Sequence, residues 1–189
     1  MATFSSNEFR SGLKFMLNNE PYSVVEAEFV KPGKGQAFTR TKIRNLKSGR
    51  VIDKTFRSTE SVEAADVIDV DMQYLYTDGD FWYFMHPETF DQVGANATAI
   101  ADAKPYLKEQ DMCMVTLWDG EPLAVQAPNH VELTITDCEP GIRGDTAQGA
   151  TKPATVETGA TVRVPLFVEE GEVIRIDTRT GEYMARVKQ

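Results

Sequence analysis

Short runs of alternating apolar and polar residues recur along the chain, and this pattern is typical of half-buried β-strands. In the first third of the sequence the runs are Leu13–Leu17, Tyr22–Val30, Gln36–Leu46 and Val51–Arg57. Asn, Pro and Gly residues, which favour turns, separate the runs. Several short strands at this spacing predict a small antiparallel barrel, because closing a sheet on itself removes its exposed edges.

The alternating pattern continues through the middle of the chain. The runs there are Val67–Tyr76, Phe81–Met85, Met112–Trp118 and Leu123–Val125. Asp78-Gly79 lies between the first two runs and predicts a tight hairpin. The preceding segment, Thr59–Asp66, is polar, acidic and poor in strand formers, so we expect the first domain boundary there.

The last third adds four runs and a long irregular segment. The runs are His130–Thr136, Ala160–Val168, Glu172–Asp177 and Tyr183–Val187. Glu139–Pro153 is rich in Gly, Thr and Pro and predicts a long loop. Upstream, residues 88–111 are richer in Ala and polar residues, and they predict a helical turn within Ala99–Lys108 that Pro105 interrupts. The sequence therefore predicts an all-β protein of three small β-barrels, with domains at residues 1–64, 65–128 and 129–189.

A basic hexapeptide, Lys31-Pro32-Gly33-Lys34-Gly35-Gln36, joins two predicted strands of the first barrel. Proline fixes φ, and the glycines permit backbone angles that other residues avoid. We expect a hairpin with the ammonium group of Lys34 at its tip. Taken alone, the segment is also compatible with an ordinary basic turn.

Charge is distributed unevenly over a chain of 189 residues whose net charge is −9. Residues 1–64 hold 11 Lys and Arg against 7 Asp and Glu, residues 65–128 hold 2 against 12, and residues 129–189 hold 7 against 10. Between residues 31 and 57 there is one acid, Asp53, and the basic residues are Lys31, Lys34, Arg40, Lys42, Arg44, Lys47, Arg50, Lys54 and Arg57. A basic face beside an acidic domain predicts local attachment to phosphate rather than general coating of nucleic acid. A solvated hairpin face is the alternative.

The sequence contains few residues in the patterns that are typical of catalytic sites. Gly33-Lys34-Gly35 lacks the spacing of a phosphate-binding loop, and the sequence has neither a Gly-x-Ser-x-Gly elbow nor a His-Glu-x-x-His motif. Asp78 and Asp80 are the carboxylate pair one would propose as general acid and base, but solvated charge is the better interpretation. We predict two free thiols, Cys113 and Cys138, and no metal site.

Aromatic residues 81–84 could stack on bases, but the acids around them would repel phosphate, so core packing is favoured. No apolar run approaches the roughly 18 residues of a membrane helix, and no signal sequence begins the chain. We therefore expect a cytoplasmic protein without membrane contact.

Three segments carry a resemblance to the bacterial elongation factor P family. They are Glu28–Phe38, Gly144–Ala147 and Lys152–Gly171, and the resemblance extends over essentially the whole chain. It implies a KOW-type, SH3-like barrel followed by two oligonucleotide-binding (OB) barrels, in an L-shaped, tRNA-like arrangement. It also implies binding to the ribosome between the peptidyl and exit sites, where the family promotes peptide-bond formation at consecutive prolines.

The resemblance assigns roles to residues of this chain. Lys34 matches the lysine that family enzymes extend with a β-lysyl group and sometimes hydroxylate, whereas an arginine there marks the rhamnose-carrying branch. Its loop consists of Lys31, Pro32, Gly33, Gly35 and Gln36, and the residues expected to contact tRNA or ribosomal RNA are Arg40, Lys42, Arg44, Lys54 and Arg57. Gly144, Asp145 and Thr146 match the loop that the family places near the exit-site codon, with a plain surface turn as the alternative.

The expected partners follow from these roles. They are the RNA and proteins of the ribosome, peptidyl-tRNA, mRNA at the exit site and the lysine-modifying enzymes. We expect a monomer that is not an enzyme and needs no cofactor beyond the covalent β-lysyl group. The rival hypotheses are a stand-alone oligonucleotide-binding module and an enzyme of unmarked chemistry.

Overall fold

Antiparallel strands make up most of the computed structural model, which describes residues 2–141 and 149–188. In chain order the strands are β1 (Thr3–Ser5), β2 (Lys14–Leu17), β3 (Glu20–Val30), β4 (Phe38–Asn45), β5 (Val51–Arg57), β6 (Ser61–Ala64), β7 (Val67–Thr77), β8 (Trp82–Met85), β9 (Gln92–Ala95), β10 (Met112–Trp118), β11 (Glu121–Gln126), β12 (His130–Cys138), β13 (Thr151–Val156), β14 (Thr161–Pro165), β15 (Val173–Asp177) and β16 (Glu182–Arg186). A short helix, α1 (Ala97–Ile100), follows β9, and 3₁₀ turns cover Ser6–Glu8 and Lys104–Tyr106. The predicted all-β class is confirmed.

The first sheet has the strand order β1-β6-β2-β3-β4-β5. Its core is built on aromatic rings, since the ring centroid of Phe9 lies 5.4 Å from that of Phe15 and 4.9 Å from that of Phe56. Val24 of β3 and Ile43 of β4 are also buried in this core. Such packing fixes β3 and β4, the two strands that carry the hexapeptide.

Strand β6 lies inside Thr59–Asp66, the segment in which the sequence predicted no strand. It pairs with β1 and with β2, and Val62 is its buried apolar residue. The four residues of β6 alternate in burial, but the run is short and its other apolar residue is the small Ala64, which is why the prediction was wrong here.

The middle sheet has the order β11-β10-β7-β8-β9. Tyr74, Trp82 and Phe84 are buried, which confirms core packing for these rings, whereas Tyr76 and Phe81 are exposed. The sequence did not predict β9, and the helix lies earlier than expected. It begins after Asn96, whose side-chain oxygen accepts a hydrogen bond from the backbone N–H of Ala99 at 2.9 Å.

The third sheet has the order β14-β13-β12-β15-β16 around a core that includes Leu133, Val164 and Ile174. β13 falls partly within the predicted loop Glu139–Pro153, so the irregular segment is shorter than predicted. In β13 the inward positions are Lys152, Ala154 and Val156, and all are buried. A lysine at the first inward position hid the alternation.

The chain divides into two compact units, Met1–Val70 with Val115–Ala124 and Asp71–Met114 with Val125–Gln189. Strands β7, β10 and β11 have residues in both units. The sequence-based division after residues 64 and 128 stays a prediction. Within the described residues, no helix has the length and apolarity needed to cross a membrane.

Candidate functional site

A long hairpin made of β3 and β4 carries the basic hexapeptide. Its strands are paired from Tyr22 opposite Asn45 to Val30 opposite Phe38, with one irregularity between Val24 and Glu26. Residues 31–37 follow the last pair and belong to no strand. The hexapeptide therefore projects beyond the paired part of the sheet, as the sequence predicted for a hairpin tip.

Lys34 is the central residue of this seven-residue loop, and its side chain is exposed. Gly35 has φ of +116°, a conformation that L side chains rarely adopt, and its neighbour across the loop is the Pro32 ring. Gly33 does not have a positive φ. Gly35 therefore uses the conformational freedom that the sequence offers at the loop glycines.

Four of the predicted RNA-contacting residues share the outer face of the hairpin sheet. Along β4, the outward residues Arg40, Lys42 and Arg44 alternate with buried residues. Arg57 of β5 lies opposite Phe38, which belongs to the same outward set. The Arg40 guanidinium lies 5.5 Å from the centre of the Phe38 ring, so its stem packs along the strand.

Lys54 lies on the other face of the sheet. It is paired with Thr41, an inward residue of β4, and its ammonium lies 5.4 Å from the centre of the Phe56 ring. Phe56 is part of the core, although Lys54 itself is exposed. The structure thus separates Lys54 from the other four basic residues.

Acidic residues lie among the outward cations. Lys42 lies between Glu26 of β3 and Asp53 of β5, and its ammonium is 3.5 Å from the Glu26 carboxylate. Glu28 is paired with Arg40. Both glutamates precede the basic stretch of residues 31–57 in the sequence, and the register of β3 on β4 brings them beside its cations.

The Gly144, Asp145 and Thr146 loop lies outside the described residues. The residues that flank it are firmly held. The Lys152 side chain is buried and donates a hydrogen bond to the Glu139 carbonyl oxygen at 2.7 Å. A Cβ on Gly141 would lie 2.7 Å from the Leu166 carbonyl oxygen, so only glycine fits there.

The Asp78 carboxylate, a candidate general acid or base in an enzyme, is used to order the β7–β8 turn. The Asp78 carboxylate accepts hydrogen bonds from the backbone N–H groups of Asp80 and Phe81 and from the Tyr83 hydroxyl, at 3.0, 2.8 and 2.9 Å. These bonds lower the pKa of Asp78, so it is an anion that orders a turn rather than a proton donor. In residues 2–141 and 149–188, no three His, Cys, Asp or Glu residues are grouped to hold a metal ion.

Both cysteines are free thiols, as predicted. Burial raises the pKa of the Cys113 thiol to about 12, because the thiolate would lose its hydration. The thiol of Cys113 is therefore not a nucleophile at neutral pH.

Comparison with known families gives three matches in chain order. Residues 5–62 match the elongation factor P (EF-P) KOW-like domain, residues 67–125 match the elongation factor P (EF-P) OB domain, and residues 131–186 match the family described as elongation factor P, C-terminal. Together the matched ranges include nearly the whole chain.

Solved structures with a similar fold include two from other organisms. One is described as eukaryotic translation initiation factor 5A from Methanococcus jannaschii, with 17% identity and a TM-score of 0.53 over 67% of this chain and 92% of that one. The other is a translation initiation factor eif-5a family protein from Naegleria fowleri, with 13% identity and a TM-score of 0.53 over 66% of this chain and 97% of that one. At these identities the likeness shows the fold.

Proposed function

Because the chain belongs to the elongation factor P family, we propose that it binds the ribosome between the peptidyl and exit sites and promotes peptide-bond formation at consecutive prolines. As a member of that family the protein is a translation elongation factor and not an enzyme. Beyond this family-level role, we propose the ribosomal site, the polyproline substrate and the residues that act there. In this proposal the protein is cytoplasmic, where ribosomes are, and one monomer binds one ribosome.

The observation that carries the proposal is the position of Lys34. The paired strand from Tyr22 to Val30 extends over about 26 Å at the usual rise per residue. Lys34 lies beyond the end of that ladder, exposed and flanked by a constrained Pro32 and a positive-φ Gly35. A narrow, stiff hairpin with a cation at its tip is suited to enter a crowded RNA site that the body of the protein does not enter.

We assign Lys34 as the site of β-lysyl attachment, with hydroxylation as a further step. The added group lengthens the cationic side chain and brings an amine to the CCA end of peptidyl-tRNA. Proline is a constrained and poor nucleophile, so a bound cation that holds the peptidyl end in position lowers the entropic part of the barrier. The factor supplies alignment and charge, and the ribosome supplies the catalytic centre.

The remaining residues have supporting roles in this proposal. Arg40, Lys42, Arg44 and Arg57 would contact RNA phosphates from one outward face, while Lys54 would reach RNA only from the other side of the sheet. Gly144, Asp145 and Thr146 would contact mRNA at the exit-site codon. No cofactor beyond the covalent group is part of the proposal.

The test joins mass spectrometry to a translation reporter. Intact mass and peptide mapping of the protein from growing native cells should show the β-lysyl group on Lys34. In a strain without the endogenous factor, Lys34→Ala and Lys34→Arg should both lose rescue of a polyproline reporter. A reporter without consecutive prolines should be translated normally in each strain.

Lys47→Ala is the matched control, because it removes one exposed cation from the same basic segment outside the hexapeptide. It should retain rescue. If Lys34→Arg rescues as well as the wild type, charge alone is sufficient and the stand-alone RNA-binding alternative replaces the alignment mechanism. An unmodified Lys34 in growing native cells would contradict the lysyl assignment.

A further inference from the structure

The outer face of the β7–β8–β9 part of the middle sheet carries three aromatic rings, of which two are exposed and the third, Tyr83, is half-buried. Tyr76 of β7 is paired with Tyr83 of β8, and their ring centroids are 4.8 Å apart in a stacked arrangement. Phe81 lies beside them, with its ring centroid 6.5 Å from that of Tyr83. We call this group of Tyr76, Phe81 and Tyr83 the aromatic platform. Half of the Tyr76 surface and 43% of the Phe81 surface are exposed, although Trp82 and Phe84 beside them are buried.

The central ring of the platform, Tyr83, is held in place. The Tyr83 hydroxyl donates a hydrogen bond to the Asp78 carboxylate, which is itself fixed by two backbone N–H groups of the β7–β8 turn. A surface with its side chains already ordered loses little entropy when a partner binds. Tyrosine is also the residue type that most often anchors such contacts.

Two of the three rings, Tyr83 and Phe81, pack against the backbone at Gly94. A Cβ at Gly94 would lie 3.2 Å from the Tyr83 ring and 3.5 Å from the Phe81 ring, so these two rings shield the backbone of β9. The three atoms nearest to that position all belong to Tyr83 and Phe81, and none belongs to Tyr76. The Tyr76 ring stacks on Tyr83 on the side away from this closest contact and keeps half of its surface exposed.

The negative charge around the platform favours a cationic partner over one that carries phosphate. Asp78 is anionic at neutral pH, and Asp80 is exposed in the same turn. The two lysines between residues 65 and 128 are engaged elsewhere, since the Lys104 ammonium lies 5.2 Å from the centre of the buried Trp82 ring and Lys108 is 3.4 Å from Glu157. Phosphate would be repelled here, whereas a guanidinium can stack on a ring and bond to a carboxylate together.

We propose that the aromatic platform is a docking site for an arginine-rich basic segment of another protein. Arginine side chains lie flat on Tyr76 and Phe81, and their guanidinium groups reach the carboxylates of Asp78 and Asp80. The proposal goes beyond the action of Lys34 and does not depend on it.

Peptide binding to the full-length protein tests the docking site. The probe is a fluorescein-labelled peptide of alternating arginine and glycine, measured by fluorescence anisotropy at physiological ionic strength. The double variant Tyr76→Ser, Phe81→Ser should weaken binding by about fivefold, because it removes two stacking surfaces and no charge. The matched lysine–glycine peptide should bind about threefold more weakly than the arginine peptide to the wild type, since lysine has no planar group to stack.

Phe90→Asn is the matched control. Phe90 is an exposed ring of the same acidic region at the opposite end of β8, and its φ of 62° suits asparagine. This variant should bind the peptide as the wild type does. Circular dichroism and the chemical shifts of the buried Trp82 indole check that each variant is folded, and Tyr83→Phe provides a milder change that keeps the ring.

Two results would overturn the proposal. Equal affinity of the double variant and the wild type would show that the peptide responds to net negative charge alone. A labelled single-stranded oligouridylate that binds the wild type and is lost in the double variant would make the platform a base-stacking surface. The polyproline reporter is scored separately with these variants, so failure of the docking site is distinguishable from failure of the function assigned to Lys34.

Discussion

The hairpin face of the first sheet and the aromatic platform of the middle sheet use the same geometry with opposite chemistry. In each, antiparallel strands bury one set of side chains and turn another set outward. The outward residues of β4 are Arg40, Lys42 and Arg44, whereas the platform consists of the exposed Tyr76 and Phe81 and the half-buried Tyr83 beside Asp78. The first face carries mainly cationic side chains, whereas the second has anionic carboxylates beside its rings.

This difference shows that the outward side chains of such a barrel can vary in chemistry while the sheet beneath them stays the same. Inward positions are constrained by packing, because a cavity or an unpaired polar group there is costly. Outward positions carry no such requirement. One chain can therefore hold two recognition surfaces of opposite charge without altering the sheets that support them.

The largest expected effect separates the buried Phe84 of β8 from Phe81, which directly precedes that strand. Phe84→Ala should lower the free energy of unfolding by about 3–5 kcal/mol, because Phe84 is fully buried and the change leaves a cavity. Phe81→Ala should lower it by no more than about 1 kcal/mol, since Phe81 is exposed. Urea denaturation followed by circular dichroism measures both. Similar losses for the two variants would mean that the platform is part of the core.

A smaller effect tests how far the acids of the hairpin face screen its cations. Arg44→Gln should weaken binding to tRNA by about threefold to tenfold and lower the salt slope by about one, because Arg44 lies between Ser23 and Val51 without a neighbouring acid across the strands. Lys42→Gln should weaken binding by less than about twofold, because Lys42 is already paired with Glu26. Filter binding over a range of salt concentrations gives both values. The reverse order of the two variants would contradict the screening.

The smallest effect concerns pH and the turn beneath the platform. Hydrogen bonds from the Phe81 N–H and the Tyr83 hydroxyl lower the pKa of Asp78 below its ordinary 3.8, so its stabilisation is complete above that pH and is lost as the pH falls through the lowered value. Asp78→Asn should reduce the Tm slightly at neutral pH, and the difference should vanish in strong acid. The same change should bring the raised pKa of Tyr83 down towards 10.0, as NMR of labelled tyrosine can show. Asp80→Asn is the control, and equal behaviour of the two variants would contradict the role of Asp78.

The sequence was sufficient for the class of the fold and for the hairpin tip. Alternation identified β3 and β4, and Pro32 with its neighbouring glycines marked the turn between them. The sequence was insufficient to predict a strand in which one residue breaks the alternation of apolar and polar positions. Lys152 takes an inward position in β13, and a buried lysine with a carbonyl partner is rare enough that periodicity alone does not suggest it.

The outward rings were harder to foresee for a different reason. Tyr74 and Tyr76 are two residues apart and would be expected on one face of β7, yet Tyr74 is buried and Tyr76 is exposed. The register on β8 shifts between them, from Tyr74 opposite Phe84 to Tyr76 opposite Tyr83. A bulge of this kind depends on pairing with the neighbouring strand, so a single strand read by itself does not reveal it.

The buried thiol of Cys113 has a practical consequence for observing the factor at work. With a pKa of about 12, Cys113 holds almost no thiolate at neutral pH, and maleimide dyes react with the thiolate. A single new cysteine on an exposed loop, in a Cys138→Ser background, would therefore take the dye while Cys113 stays in the core. The protein can carry a fluorophore for single-molecule measurements without any change to the packing of its middle sheet.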